Sequence, residues 1–562
     1  MSRPSWVSGP APPGGIVMRP WPRPNVAHVM CAALLVAWMV WAPPSPDLAA
    51  QVYRLQEFAA HGFSLWDNNW YGGHYLPDYS LAFPPIASVL GLRGAGIAAV
   101  ALSTLIFERL ARARFGSRAA AATALFAIGA AGDLYIGRIT FALGVTLGLA
   151  AVLAAVHGRG RLTVLASLGC AAASPVAAVF LALAATADLI ATRSVRRALA
   201  LAAPALLLTL VLTVLFPEGG VETFGTLSFL AAAAAAVLPL VLLPPEERLL
   251  RVGAALYLLL VVAAFVIPSP MGSNAQRLGV LFAAPILAGA VRLEDVRRLP
   301  ERARLRGRRV SAGQARAVVV VAIVGLVAWQ VNGPLAQSLQ ASSDPSTQSA
   351  YYAPVVRFLE RASRGAPMRI EAVFTATHWD ATYLATRFAL ARGWERQLDT
   401  KYDALFYEPR LTAAEYRTWL LSLAVRYVAL PDAPLDPSSV AEAALIRHGL
   451  PYLRQVFASA HWRVYAVLGA EPLVSGPARL RRLDATGFEL AIRRAGTVTV
   501  RVRYTPYWAM SGDGCVSEAP DGWTLVTATR AETVTVAARF SLSQALDPDP
   551  RCSGPVNARL NV

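Results

Sequence analysis

Apolar stretches long enough to cross a lipid bilayer recur through the first 334 of the chain's 562 residues, and no other feature limits its fold so strongly. They lie near 26–44, 94–112, 118–136, 139–157, 162–174, 176–191, 198–216, 227–243, 252–268, 277–291 and 316–333, which predicts eleven membrane helices. The fifth and sixth are short, and Ser174-Pro175 between them predicts a tight hairpin or a broken helix. Composition agrees: 55% of residues are hydrophobic, 15% are charged, and mean hydropathy is +0.45. Soluble domains carry about 25% charged residues. A single soluble globule is excluded, as is a disordered or fibrous chain.

The net charge of +17 raises nucleic acid as a partner, but its distribution points to lipid. Placing the N-terminus in the cytoplasm puts 23 arginines on inside segments and leaves only Arg54, Arg93, Arg138 and Arg277 at outside edges. That is the positive-inside bias of a multi-pass plasma-membrane protein. The run RARLRGRR at 302–309 then reads as a cytoplasmic anchor near anionic lipid. No RNA- or DNA-reading motif accompanies the charge. Lys401, the only lysine, reads as genome composition rather than chemistry. No small-residue cleavage site follows the first span, so an uncleaved anchor is expected.

An odd number of spans places residues 335–562 outside. There, 335–477 alternate strand and helix patterns, predicting an α/β domain with strands at 368–375 and 425–432 and helices at 378–390 and 437–448. Residues 478–562 alternate in period two and predict a β-sandwich. Its Tyr504, Tyr507, Trp508 and Trp523 suit sandwich core or sugar stacking. Cys31 and Cys170 lie in apolar spans, whereas Cys515 and Cys552 lie outside, where disulfides persist, and are expected to pair.

The segment 45–84, the first outside loop, carries most of the candidate chemistry. Pro43, Pro44 and Pro46 end the first span, and Asp47 opens an amphipathic helix over about 47–61. Asp47, Arg54 and His61 recur every seven residues and Glu57 lies three after Arg54, so these side chains fall on neighbouring faces. Such a face can accept a proton and hold an anion; equally, Asp47 can cap the helix and the rest can be a wetted surface. W-x3-W-Y-G-G follows at 66–73, with Trp66, Asp67, Trp70, Tyr71 and then His74 and Asp78 as candidates to line a sugar pocket or to pack. At two other outside edges, Asp133 to Arg138 and Pro270 to Arg277, Arg138, Asn274 and Arg277 suit a lipid phosphate, because the guanidinium fork donates two parallel hydrogen bonds. Snorkelling to headgroups or pairing with Asp133 is the plainer role. Glu218 and Glu222 are candidate acceptor-side acids. The set His378, Trp379 and Asp380 reads as domain core.

A proline-terminated first span, an acid opening the first outside loop, an interfacial helix, W-x3-W-Y-G-G, about eleven spans and an exterior C-terminal part together resemble the GT-C superfamily of integral-membrane glycosyltransferases, in an actinobacterial-type layout. The resemblance implies sugar transfer from a polyprenyl-phosphate carrier to a glycan or glycolipid acceptor of the cell envelope, for cell-wall biogenesis. It implies that the acid of the first loop, here Asp47, is the base or a metal ligand, and so admits a divalent cation. Many members carry two adjacent acids there; here Asp47 stands between Pro46 and Leu48. A transporter or lipid flippase is the alternative, although the spans show no internal repeat. An inactive scaffold of envelope assembly is a third reading.

Overall fold

The computed structural model describes residues 25–298 and 311–546. The arginine run at 302–309 and Cys552, with its expected pairing to Cys515, lie outside the described residues. Cys31 and Cys170 are buried free thiols.

Every predicted span is a helix: α1 (Val26–Trp41), α3 (Phe83–Phe115), α4 (Ala119–Tyr135), α5 (Ile139–Val156), α6 (Gly160–Ala173), α7 (Pro175–Thr192), α8 (Val195–Leu215), α9 (Thr226–Leu242), α10 (Arg248–Val266), α11 (Gln276–Ala290) and a long last helix, Ala312–Ser343. The interfacial helix α2 is Pro46–His61. Among the described residues, six helical stretches are long and apolar enough to cross a membrane, or seven if the bent pair α1 and α2 is one span. Eleven is not reached by that measure. α6 and α9 have 14 and 17 residues, short of the roughly 20 a bilayer requires, and α3 and α4 run together as one apolar stretch. Ser174 is both the end of α6 and the cap of α7, its hydroxyl accepting from the Ala177 N–H, so the Ser-Pro pair makes a hairpin. α1 stops at Ala42, which takes a left-handed conformation (φ 44°) before the prolines, and α2 leaves at 74°.

The last helix runs through Ser343, so the boundary expected at residue 335 falls inside it. Beyond it, a five-stranded sheet has the order β4-β3-β5-β7-β6, with β3 (Arg369–Ala372), β4 (Ala389–Leu390) and β5 (Val425–Pro431) parallel and β6 (Leu453–Ala458) and β7 (Trp462–Val467) antiparallel. The helix expected over 378–390 shrinks to one turn at Asp380–Tyr383. His378 is left-handed (φ 55°), Asp380 turns back to accept from Thr375, and Leu390 joins the sheet edge. Two four-stranded antiparallel sheets follow. One has the order β12-β15-β10-β9, the other β13-β14-β11-β8. Their strands are β8 (Val474–Ser475), β9 (Ala478–Asp484), β10 (Gly487–Ile492), β11 (Gly496–Arg503), β12 (Trp508–Met510), β13 (Gly514–Glu518), β14 (Trp523–Ala528) and β15 (Thr533–Ala538). The first strand starts before the expected boundary at 478. Leu490, Val498, Val500, Val526, Val534 and Val536 turn inward and are fully enclosed. Tyr507 and Trp508 are buried with them, and Trp523 is buried in a separate cluster with Leu430 and Val467 of the α/β domain, so these rings are core.

Candidate functional site

The first loop does not hang free. It is wedged between the helix ends and the C-terminal domains. Trp379 and Trp394 donate their indole N–H groups to the carbonyls of Pro44 and Pro46, at 3.0 Å each. The Thr382 hydroxyl donates to Ala49 O, and Leu390 N–H to Asn69 O. Residues 66–75 form a small hairpin, β1 (Trp66–Asp67) against β2 (His74–Tyr75), docked under the sandwich by Arg503, which donates its backbone N–H to Gly72 O and its Nε to Tyr71 O.

That docking explains W-x3-W-Y-G-G. Trp66, Trp70 and Tyr71 are buried. Trp70 stacks on Tyr53 with centroids 4.4 Å apart and donates to Ala381 O; Tyr71 donates to Gly393 O. Gly73 (φ 130°) lies against the Trp66 ring, where a Cβ would come within 2.4 Å. The rings face protein rather than an open sugar pocket. Asp67 is enclosed as well, accepting from the Tyr53 hydroxyl at 2.7 Å and the Asn69 N–H at 2.9 Å. Burial, with Glu57 nearby, pushes its carboxyl up. His74 has neither ring nitrogen hydrogen-bonded, and burial with the Arg54 charge pushes it down to about 3, so it is neutral at ordinary pH. Burial and Glu395 push Asp78 up to about 6.

The seven-residue series of α2 does not act as one group. Asp47 pairs with Arg138, Arg54 with Glu395, and His61 with Glu57 at 3.1 Å. Seven residues advance a helix by roughly 10 Å, so side chains that share a face still meet different neighbours. The Arg54 guanidinium also lies 3.6 Å over the Tyr79 ring. Asn274 is spent on its own turn, donating to Pro270 O.

The residues that do converge are Asp47, Asp133, Arg138, Glu222 and Arg277, each from a different connection or helix end. Asp47 stands in the first turn of α2, where the helix dipole favours an anion. It caps no backbone: its Oδ2 accepts from Arg138 Nε at 3.0 Å, and Arg138 Nη1 is 4.0 Å from Asp133 Oδ1. Arg277, at the start of α11, lies within electrostatic reach of Asp47, Asp133 and Arg138. Its Nε is buried without a hydrogen-bond partner, and its guanidinium carbon is 5.4 Å from the Phe141 ring centre. Glu222 accepts from the Ser273 hydroxyl at 2.7 Å and feels Arg277 and Asp47; burial raises its carboxyl.

Sequence reasoning missed the roof over this cluster, residues 394–402. Trp394 holds Pro46, Gln397 donates to Pro270 O, and Thr400 exchanges hydrogen bonds with Val221. Lys401, set aside as composition, donates to Glu218 O and lies 3.8 Å from its carboxylate. Burial pushes Glu218 up to about 8. Arg396 is held by Asp436 at 2.7 Å. A lone lysine in an arginine-rich chain was the one signal available. Among the described residues no three His, Cys, Asp or Glu side chains gather as a metal site. Asp47 is turned to a guanidinium, so the cluster does not fit a cation held by protein ligands.

No protein-family model matches the chain, and no curated protein matches it. Among solved structures it is similar to the cryo-EM structure of the arabinofuranosyltransferase AftD from Mycobacteria, at 17% identity and TM-score 0.44, over 84% of this chain. This chain spans only 41% of that one. It is also similar to ArnT from Cupriavidus metallidurans. With undecaprenyl phosphate bound, identity is 16% and TM-score 0.44, covering 79% of this chain and 98% of that one. In the apo state the values are 14% and 0.40, over 78% and 97%. Likeness this loose gives no residue a role.

Proposed function

We propose that this chain is a membrane glycosyltransferase that moves a sugar from a polyprenyl-phosphate carrier to a cell-envelope acceptor on the outer face. The observation that carries the reading is the chain of ion pairs Asp47–Arg138–Asp133 at the helix ends beneath the C-terminal domain, with Glu222 and Arg277 within electrostatic reach. An enclosed guanidinium nitrogen with no partner, as in Arg277, suits an incoming phosphate oxygen. A carboxylate beside it suits proton removal.

In this reading the acceptor hydroxyl attacks the anomeric carbon with inversion. Its proton passes to the Asp47 carboxylate while the bond from that carbon to the phosphate oxygen breaks. The carrier phosphate leaves with the electron pair, and Arg277 stabilises its charge. Arg138 orients Asp47 in the resting state and turns part of its field to the phosphate once the carrier is bound.

The test is transfer by the purified protein from a polyprenyl-phosphate sugar. Asp47→Asn is expected to lose about 100-fold or more, the usual worth of a general base. Full activity in that variant would sink the base assignment. Arg277→Ala is expected to lose the polyprenyl phosphate that co-purifies with the wild type, read by lipid mass spectrometry. The existing Asp47–Arg138 pair favours one competing reading, a scaffold that binds glycan without turnover. Carrier binding with no transfer to any acceptor would establish that reading instead.

A further inference from the structure

A groove of about 530 Å³ runs between the α/β domain and the β-sandwich, away from the cluster around Asp47. Ligand sites fall in the range of about 300–1,000 Å³. Its floor is the outer face of the β9–β10 pair. Phe488, Leu490 and Ile492 turn into the sandwich core, which leaves Arg479 and Arg481 of β9 and Ala491 and Arg493 at the end of β10 facing out. Arg479 lies directly across from Ala491, and the register slips at Arg481. Such a bulge re-aims the side chain it carries. The wall is the turn that follows the helix Ser349–Ser363: Arg364, Gly365, Ala366 and Pro367.

The arginines here differ from ordinary surface charge. Arg481 reaches Glu489 only at 4.0 Å. Arg364, Arg479 and Arg493 have no acidic partner within ion-pair distance among the described residues. β9 is an edge strand, and edge strands carry charge to block pairing with other chains. That accounts for Arg479 and Arg481. It does not account for Arg364 and Arg493, which come from other segments and close on the same space. Gly365, Ala366 and Ala491 keep that space open between them.

We propose that this groove binds a linear anionic glycan, one bearing carboxylate or phosphate groups along its length. Arg479, Arg481 and Arg493 line one groove together, so their guanidinium forks can meet successive anionic groups of an extended polymer. No aromatic side chain lines the groove, and its one large aliphatic residue, Leu480, is half-buried against the sandwich core. That disfavours a lipid surface, which takes inserted apolar residues, and single-stranded nucleic acid, which takes stacking faces. The site is separate from the transfer reading and stands or falls without it.

The test is calorimetric titration of the full-length protein in uncharged detergent with polygalacturonate oligomers, and with neutral dextran of equal length. Binding of polygalacturonate that weakens with salt, and none of dextran, is expected. The pair Arg479→Glu and Arg493→Glu is expected to weaken binding about tenfold or more, as charge-assisted hydrogen bonds are lost. The melting temperature should hold; if that pair does not fold, Arg479→Gln with Arg493→Gln makes the same test. Undiminished binding in the variant, or equal binding of dextran, overturns the proposal. Displacement of the oligomer by micelles carrying phosphatidylglycerol also overturns it, in favour of a lipid headgroup.

Discussion

Arg392 shows at the scale of one residue how this chain tolerates buried charge. Its guanidinium lies between the Phe374 and Phe406 rings, 4.1 and 4.0 Å from their centres. It donates twice to Asp399, at 3.0 and 2.6 Å, and to Ser438 and Ser439. Four of its five N–H donors are used, Glu442 lies 3.6 Å from Nη1, and all three charged groups are fully enclosed. Removing Asp399 takes away both of its charge-assisted hydrogen bonds and leaves the enclosed guanidinium only the more distant Glu442. Asp399→Ala is therefore expected to cost about 3–5 kcal/mol, read as a lower denaturation midpoint. A loss under about 1 kcal/mol, the worth of an exposed pair, would contradict this account. Neither residue stood out in the sequence, because Arg and Asp seven positions apart in a mixed segment carry no periodic signal. Arg138 and Arg277 did stand out, because arginines at outside edges of the spans are few, and Asp47 did because it opens the first outside loop behind three prolines. What was missed at this scale was pairing: Arg54 finds Glu395, 341 residues away.

The decisive element is α2 with the turn that supports it. Gly137, between α4 and α5, is left-handed (φ 84°), and a Cβ there would come within 2.4 Å of Leu48 N. That close approach seats α2 against the turn and lets Arg138 reach Asp47. Gly137→Ala is expected to destabilise by about 1–3 kcal/mol, the worth of one strained backbone position. Transfer activity should fall further than stability explains, since the displaced α2 carries Asp47 with it. A variant that loses stability yet keeps full activity per folded molecule would show that the seating does not matter. The existence and amphipathic character of α2 were legible from the pattern at 47–61. Its packing was not, because the residues that hold it, Trp379 and Trp394, lie in a domain more than 300 residues later. The aromatic motif was visible for the same reason that it was ambiguous: Trp and Tyr serve both sugar stacking and buried docking.

The whole molecule carries a pH dependence that follows from its buried loop groups. Glu218, raised to about 8, is protonated when folded and ionised when unfolded between about pH 4 and 8, so its contribution to stability is lost as pH rises through that window. His74, lowered to about 3, works the other way: its contribution is lost as pH falls below about 6.5. From about pH 6.5 to 8 only the raised acids act, so the melting temperature is expected to fall across that range. Glu218→Gln should make the decline shallower. An identical slope in wild type and variant would remove Glu218 from the account.

Length, apolar periodicity and arginine bias suffice to predict the helical part, the α/β part and the sandwich, and to single out Asp47, Arg138 and Arg277 as candidates, because each depends on local composition along the chain. The helix over 378–390 failed because a left-handed His378 and a sheet edge overrode local propensity. Only the tertiary structure decides that Asp133 and Glu222 join Asp47, that residues 394–402 close over them, and that the loop aromatics are packed rather than open. It also decides that arginines from three separate segments line one groove. These are contacts between segments far apart in sequence, set by how the loops pack against the C-terminal domains, and no single stretch of sequence contains them.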